Sequence, residues 1–285
     1  VDDNVSVFAN TGYVEKPPIM DNVIYYDGTV ASDPLNESFI SSEAGVNFES
    51  EKFAVKVSAY NTDWKDRNLT KSVTTGQGSS GDTDVIFLKG IGQKHQGLEV
   101  EGSMKLNDMI RLDGAVSFGK WKFDGDADGL YTEYAEDAPK QTAYTYTLDG
   151  LYVGDQPQTA YVLGTTLTPM DGLRLQGIFK MYDKNYADWS PDSRELSGDA
   201  DRSQVWQAPG YNRLDLHASY KLPKIAGYDM TLTGHLFNAL DAVYVQDAVD
   251  NSQYNGFGDK LHLAHNAEVF LGTPRYFNLG LTVNF

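Results

Sequence analysis

Apolar and polar residues alternate along most of this chain with a period of two, the mark of a strand buried on one face. The clearest run is Arg275-Tyr276-Phe277-Asn278-Leu279-Gly280-Leu281-Thr282-Val283-Asn284-Phe285. Phe277, Leu279, Leu281, Val283 and Phe285 share one face, and Tyr276, Asn278, Gly280, Thr282 and Asn284 the other. Leu98, Val100, Gly102, Met104 and Leu106 oppose Glu99, Glu101, Ser103 and Lys105 in the same way, and Ile110, Leu112, Gly114, Val116 and Phe118 oppose Arg111, Asp113, Ala115 and Ser117. Leu173, Leu175, Gly177, Phe179 and Met181 oppose Arg174, Gln176 and Lys180; Leu214, Leu216, Ala218 and Tyr220 oppose Arg213, Asp215, His217 and Ser219. The pattern predicts ten strands, near 4–12, 41–49, 53–61, 93–106, 110–122, 158–168, 173–186, 210–222, 229–239 and 274–285. Several are longer than the ~5–6 residues usual in soluble sheets.

The connections alternate as well. Short turns fall near Ser50-Glu51, Asn107-Asp108, Met170-Asp171-Gly172 and Pro223–Tyr228, and between them lie long segments at 13–40, 62–92, 123–157, 187–209 and 240–273. Loops beyond ~12–15 residues are uncommon in compact domains. Strict short–long alternation places every long loop at one end of the sheet, the layout of an outer-membrane barrel. Lipid cannot satisfy backbone amides, so spanning strands must pair with each other. The predicted fold class is therefore all-β, a transmembrane antiparallel β-barrel. A soluble β-sandwich would also bury one face of each strand, but with shorter strands and no asymmetry of loops.

Composition narrows the picture. The 285 residues carry 23 Lys or Arg against 40 Asp or Glu, a net charge of −17. A nucleic-acid partner, which needs a basic footprint, is excluded. With no Cys there is no disulfide framework and no thiolate metal site. No apolar run approaches the ~18 residues of a spanning helix. The residues at Val1-Asp2-Asp3-Asn4 carry neither the basic nor the apolar stretch of a signal peptide.

Three stretches resemble TonB-dependent outer-membrane receptors, most closely Bacteroidota-like members. Gly234-His235-Leu236-Phe237-Asn238-Ala239-Leu240-Asp241-Ala242-Val243-Tyr244 is similar to the family's "NLFN…Y" segment. Gly272-Thr273-Pro274-Arg275-Tyr276-Phe277, running on to Phe285, resembles its closing strand, and Ala208-Pro209-Gly210-Tyr211 through Asp215-Leu216 to Ser219-Tyr220 resembles its "P-x-Y-x-x-x-D-L-x-x-S-Y" strand. Val5–Tyr13 and Tyr60–Arg67 match its barrel hairpins. In that family a barrel of 22 strands encloses a plug. The resemblance implies that residues 1–285 are the C-terminal portion of such a barrel, with the plug domain and TonB box not represented. It implies location in the bacterial outer membrane and, in the intact receptor, TonB-energised uptake of a small-molecule nutrient such as a siderophore, cobalamin or oligosaccharide. The implied partners are outer-membrane lipid, TonB, the plug domain and the barrel-assembly machinery, which would read Phe277, Leu279, Leu281, Val283 and Phe285. A self-closing ten-strand barrel, such as an omptin-like surface protease, is the alternative among membrane folds.

Candidate chemistry lies in the long segments. Tyr131, Tyr134, Trp189, Trp206 and Tyr254, with Tyr144, Tyr146 and Phe257, combine aromatic faces with nearby Asp and Asn, which suits sugar rings or flat ligands as well as an interfacial aromatic girdle. Asp124-Gly125-Asp126-Ala127-Asp128-Gly129 matches the first half of a calcium loop. Position twelve, where the bidentate Glu belongs, is Ala135, with Glu133 and Glu136 on either side. A loose Ca²⁺ bridge through Asp124, Asp126 and Asp128 and a solvated acidic loop tip are the two readings; no other cofactor is expected. His262-Leu263-Ala264-His265 lacks a carboxylate to complete a zinc triad, and His95, His217 and His235 are scattered through strands. There is no G-x-S-x-G, H-E-x-x-H or Cys nucleophile, so no enzymatic activity is expected. Glu99, Glu101, Arg111, Asp113, Arg174, Arg213 and Asp215 are expected to face the pore, either solvated or paired within the wall.

Overall fold

The computed structural model describes residues 4–20, 23–24, 28, 30, 34–75, 82–134, 139–191, 194, 201–224, 227–251 and 261–284. Among the described residues sixteen strands follow in chain order. The first five are β1 (Val5–Lys16), β2 (Glu37–Glu49), β3 (Phe53–Thr75), β4 (Asp82–Lys105) and β5 (Ile110–Phe123). Next come β6 (Ala127–Tyr134), β7 (Pro139–Tyr146), β8 (Thr159–Met170), β9 (Leu173–Asp183), β10 (Asn185–Tyr186) and β11 (Gln207–Ala208). The last are β12 (Tyr211–Lys221), β13 (Asp229–Phe237), β14 (Val245–Val249), β15 (Glu268–Leu271) and β16 (Tyr276–Asn284). The ten predicted strands are the ten on the path β1-β2-β3-β4-β5-β8-β9-β12-β13-β16, all antiparallel. Every step along it joins neighbours in sequence or skips only short strands within a long connection.

Register turns the alternation into two continuous faces. Val7, Val46, Val57, Val100, Val116, Tyr161 and Met181 pair in succession across seven strands. Four residues along, Phe53, Met104, Leu112, Thr165, Gly177, Leu216, Leu236 and Phe277 do the same. Phe277 and Leu279 are each 73% exposed, and Leu163, Leu281 and Leu232 are exposed as well. Among the described residues no second layer covers this face, which overturns the sandwich alternative. Hydrocarbon is the environment in which such a surface is stable.

The apolar band ends at one level. Ala59, Leu98 and Phe118 form its last row on β3, β4 and β5, and the next outward row is Asn61, Gln96 and Lys120. Gln96 donates to Asn61 at 2.9 Å, and beyond it Lys94 pairs with Asp63 at 3.6 Å. From Ile110 to Phe118 the band is roughly 20 Å tall at ~3.4 Å per residue and ~40° of tilt, matching the ~25 Å of an outer-membrane barrel.

Two expectations are corrected here. The segment 62–92 is not a loop: β3 and β4 run on as a paired ribbon to Thr75 and Asp82, through irregularities between Trp64 and Leu69 where Asp66 takes a positive φ of 58°. Hydrophobic alternation stops where lipid stops, whereas backbone pairing has no such limit. Nor do the ten strands close on themselves. Among the described residues β1 pairs only with β2 and β16 only with β13, so the self-closing ten-strand alternative fails.

Asn238 shows what one of the recognisable motifs does. It is buried, has a positive φ of 49°, and ends β13. Its backbone N–H donates to Asp215, its side chain donates to the carbonyls of Ala242 and Thr273, and its Oδ1 accepts from the Ala242 N–H. One residue thus ties the strand end, the following turn and the approach to β16 together. Asn238→Gly keeps the backbone accessible but strands these groups, and is expected to cost roughly 1–3 kcal/mol in the intact barrel, read as a lowered urea midpoint. For the faces, Leu163→Lys is expected to cost ~2–4 kcal/mol while Val162→Lys, one residue away on the polar side, costs little. Equal midpoints for the two lysine variants would contradict the assignment of faces.

Candidate functional site

The polar face curves around a recess. Asn47, Lys56, Glu101, Asp113, Thr166 and Gln176 line one cavity although they come from six successive strands, β2 to β9 along the path. Six strands at ~4.8 Å spacing span ~24 Å, so a flat sheet could not gather them. The charges are largely matched within the wall. Lys56 lies between Glu43 and Glu101, Arg111 pairs with Asp113 at 2.6 Å, and Asp215 takes Lys180 at 2.9 Å and Arg213 at 3.7 Å. Arg213 also donates to the Tyr244 hydroxyl at 3.0 Å. Large rings lie flat on this face where glycine leaves room. Tyr60 covers Gly97 and accepts a hydrogen bond from the Trp121 indole, and Phe8 covers Gly45.

The long connections are folded and packed on one another. β6 pairs with the outer part of β4 (Val85↔Thr132 to Lys89↔Asp128) and with β7. Ile86, Leu88, Ile91, Phe123, Tyr146, Leu148, Leu151, Trp189 and Val205 bury together beyond the apolar band, forming a second core that needs no lipid. Around it the segments after β9 and β13 are sewn by backbone bonds, the Asp188 N–H to the Ala248 carbonyl at 2.7 Å and the Asp250 N–H to the Asp188 carbonyl at 2.8 Å.

A charged latch completes the junction. Arg194 is fully buried, bonded to the Ser203 carbonyl at 2.7 Å and to Asp250, itself fully buried, at 3.4 Å. His262 bridges two carboxylates, Nδ1 to Asp250 at 2.5 Å and Nε2 to Asp201 at 2.6 Å. Burial opposes charging of His262, but a carboxylate on each ring nitrogen outweighs it and raises the pKa above its ordinary value. Burial likewise pushes Asp201 up, yet its bonds from His262 and the Ser203 N–H hold it below the usual carboxylate range. Nearby, Arg202 clasps Asp126 with two bonds of 3.0 and 2.7 Å and depresses that carboxyl's pKa.

The residues singled out from sequence have distinct places in this assembly. Trp189 is buried, edge-on to Phe123 at 6.1 Å and tilted against Tyr146 at 6.4 Å. Tyr131 is half-buried against Tyr144, and half-buried Trp206 donates its backbone N–H to Asp250. Tyr134 ends β6 in register with Pro139; Tyr254, Phe257, Ala135, Glu136 and Phe285 lie outside the described residues. Of the acidic trio, Asp126 bonds Arg202 and the backbone of Leu148 and Asp149, Asp128 accepts from Thr145 at 3.4 Å, and Asp124 is exposed. Among the described residues no group of three or more His or acidic side chains is gathered to hold a metal. On β16, Phe277, Leu279 and Leu281 are exposed on the apolar face, with Val283 half-buried beside Met230. Arg194, Asp201 and Asp250 were not foreseen, because their partners lie up to 68 residues away.

Known proteins show the same architecture. Residues 1–239 match the family model described as TonB dependent receptor-like, beta-barrel. The chain is similar to the solved structure of the copper transporter OprC, with a TM-score of 0.62 and 14% identity over 99% of this chain and 37% of that one. It is similar to BauA, the ferric preacinetobactin receptor of Acinetobacter baumannii (TM-score 0.56, 18% identity, 100% and 35% covered). It is also similar to the FrpB iron transporter of Neisseria meningitidis (TM-score 0.57, 15% identity, 98% and 37% covered). The chain spans about a third of the length of these structures. No curated protein matches it in sequence.

The latch sets a pH dependence. Because the folded pKa of His262 is raised, its contribution is complete below the unfolded value of ~6.5 and is lost as pH rises through the higher folded value. Because that of Asp201 is depressed, its contribution is present above ~3.9 and is lost as pH falls through the lower folded value. Hydrogen-exchange protection of Val245–Val249 is therefore expected to fall as pH rises above ~6.5 in the intact protein. His262→Asn should flatten that slope; an unchanged slope would remove His262 from the latch.

Proposed function

The chain belongs to the TonB-dependent receptor β-barrel family, and on that premise we propose that it supplies wall and extracellular loops to an outer-membrane receptor for TonB-energised nutrient uptake. The observation that carries this reading is the division of labour across one sheet. One face is built for lipid, the other is polar and recessed, and a folded loop assembly crowns one end. In the intact receptor the recess would hold the plug, with Lys56, Arg111, Asp113 and Arg174 at the contact. The loop assembly would meet the ligand, for which a ferric siderophore, cobalamin or oligosaccharide fits the aromatic and acidic surroundings of Tyr131 and Trp206. Phe277 to Phe285 would serve as the strand read by the barrel-assembly machinery. No chemical step on the ligand belongs to this function.

A copper transporter, a ferric preacinetobactin receptor and an iron transporter among the structural neighbours support a scarce-metal ligand over the other two. The test is uptake by cells producing the intact receptor, using labelled ferric siderophores, cyanocobalamin and maltooligosaccharides in parallel. Accumulation of one of them is expected, and it should disappear when TonB is deleted or the proton gradient is collapsed. Accumulation that survives both treatments would mark a passive pore and overturn the proposal.

A further inference from the structure

Two histidines, scattered in sequence, meet on the polar face. His217 on β12 and His235 on β13 are direct cross-strand partners, flanked in register by Leu216↔Leu236 and Ala218↔Gly234. Their Nδ1 atoms lie 2.9 Å apart. Both side chains are half-buried and open to the pore side. We propose that this pair is a binding site for a divalent transition-metal ion, with Cu²⁺ the preferred occupant.

The spacing carries the argument. Two metal–nitrogen bonds of ~2.0–2.1 Å set at a right angle place the nitrogens ~2.9 Å apart, whereas a tetrahedral angle would need ~3.3–3.4 Å. The pair therefore matches two cis positions of a tetragonal ion, and nitrogen donors in tetragonal geometry select Cu²⁺ and then Ni²⁺. The remaining positions face the pore and are filled by water. Gln176 pairs with His217 and Asn278 with His235, so a row of amides continues the imidazole pair on both sides.

The rings are held for the task. Phe237 stacks on His235 at 5.9 Å and stands edge-on to His217 at 5.5 Å. Phe237 is in turn backed by Tyr276, stacked at 4.7 Å. The nearest carboxylate along the strand, Asp215, is engaged by Lys180, which favours an ion that prefers neutral nitrogen over a hard cation that requires oxygen. Without metal, one Nδ1–H donates to the other Nδ1. On binding, the donor ring moves its proton from Nδ1 to Nε2, both Nδ1 lone pairs reach the metal, and two neutral imidazoles bind without net loss of a proton.

The experiment uses the intact outer-membrane protein folded in detergent and titrated with copper sulfate alone. Expected is a tetragonal Cu²⁺ spectrum showing two imidazole nitrogens, weakened more than about tenfold in affinity by His217→Asn or His235→Asn and unaffected by His95→Asn. Heat-modified gel mobility verifies that each variant is folded. Wild-type crystals soaked in copper provide the test that needs no variant. An anomalous peak within bonding distance of both Nδ1 atoms supports the site. Absence of a peak there, or copper binding indifferent to both asparagine variants, overturns it.

Discussion

The backbone amide in hydrocarbon is the constraint from which this molecule follows. An unpaired N–H or C=O there costs several kcal/mol, so each spanning segment must give its whole hydrogen-bonding capacity to two neighbours. This is why the ten wall strands pair along almost their full length and why their order follows the chain. Among the described residues β1 and β16 are each paired on one side, so each leaves one row of backbone groups unpaired within the sheet. Pairing in turn fixes register, and register makes ten separate alternations into one apolar and one polar surface. A slip of one residue on β12 would put Arg213 and Asp215 into lipid and Leu216 into the pore.

Sequence reading found what that constraint writes into side chains and missed what it does not. The ten strands were legible because lipid enforces alternation, as in Leu98 to Leu106 or Phe277 to Val283. The outer halves of β3 and β4 were not. Beyond Ala59 and Leu98 the outward positions turn polar, so the pairing of Leu69 with Leu88 or Thr70 with Phe87 left no periodic trace. The loop strands β6 and β7 are hidden for the same reason. Asn238 was legible as part of a motif, but its role required the fold, since its partners Thr273 and Asp215 are 35 and 23 residues away.

Outside the membrane the balance of forces changes, and the loop assembly is held in another way. Apolar burial around Leu88, Tyr146 and Trp189 supplies cohesion, while Arg194, Asp250, Asp201 and His262 supply register. A buried guanidinium contributes little net stability, because its desolvation offsets its attractions. Losing one partner, however, strands a charge, so only one arrangement of the segments is tolerated. Such a network fixes the loop segments relative to one another where no lipid orients them.

The polar face obeys neither rule strictly, and that freedom gives it its character. Lipid does not act on it, and it carries no dry core, so its residues can vary without endangering the wall. Ion pairs such as Arg111–Asp113 and Lys180–Asp215 neutralise charge locally on this face. The pairing of His217 with His235 stands apart from these, because it joins two like side chains rather than opposite charges. They are held by Phe237 and Tyr276, so the aromatic support that elsewhere fills space over Gly97 and Gly45 here orients nitrogen. That wall position thus carries an oriented pair of imidazole nitrogens that neither lipid contact nor the loop core requires.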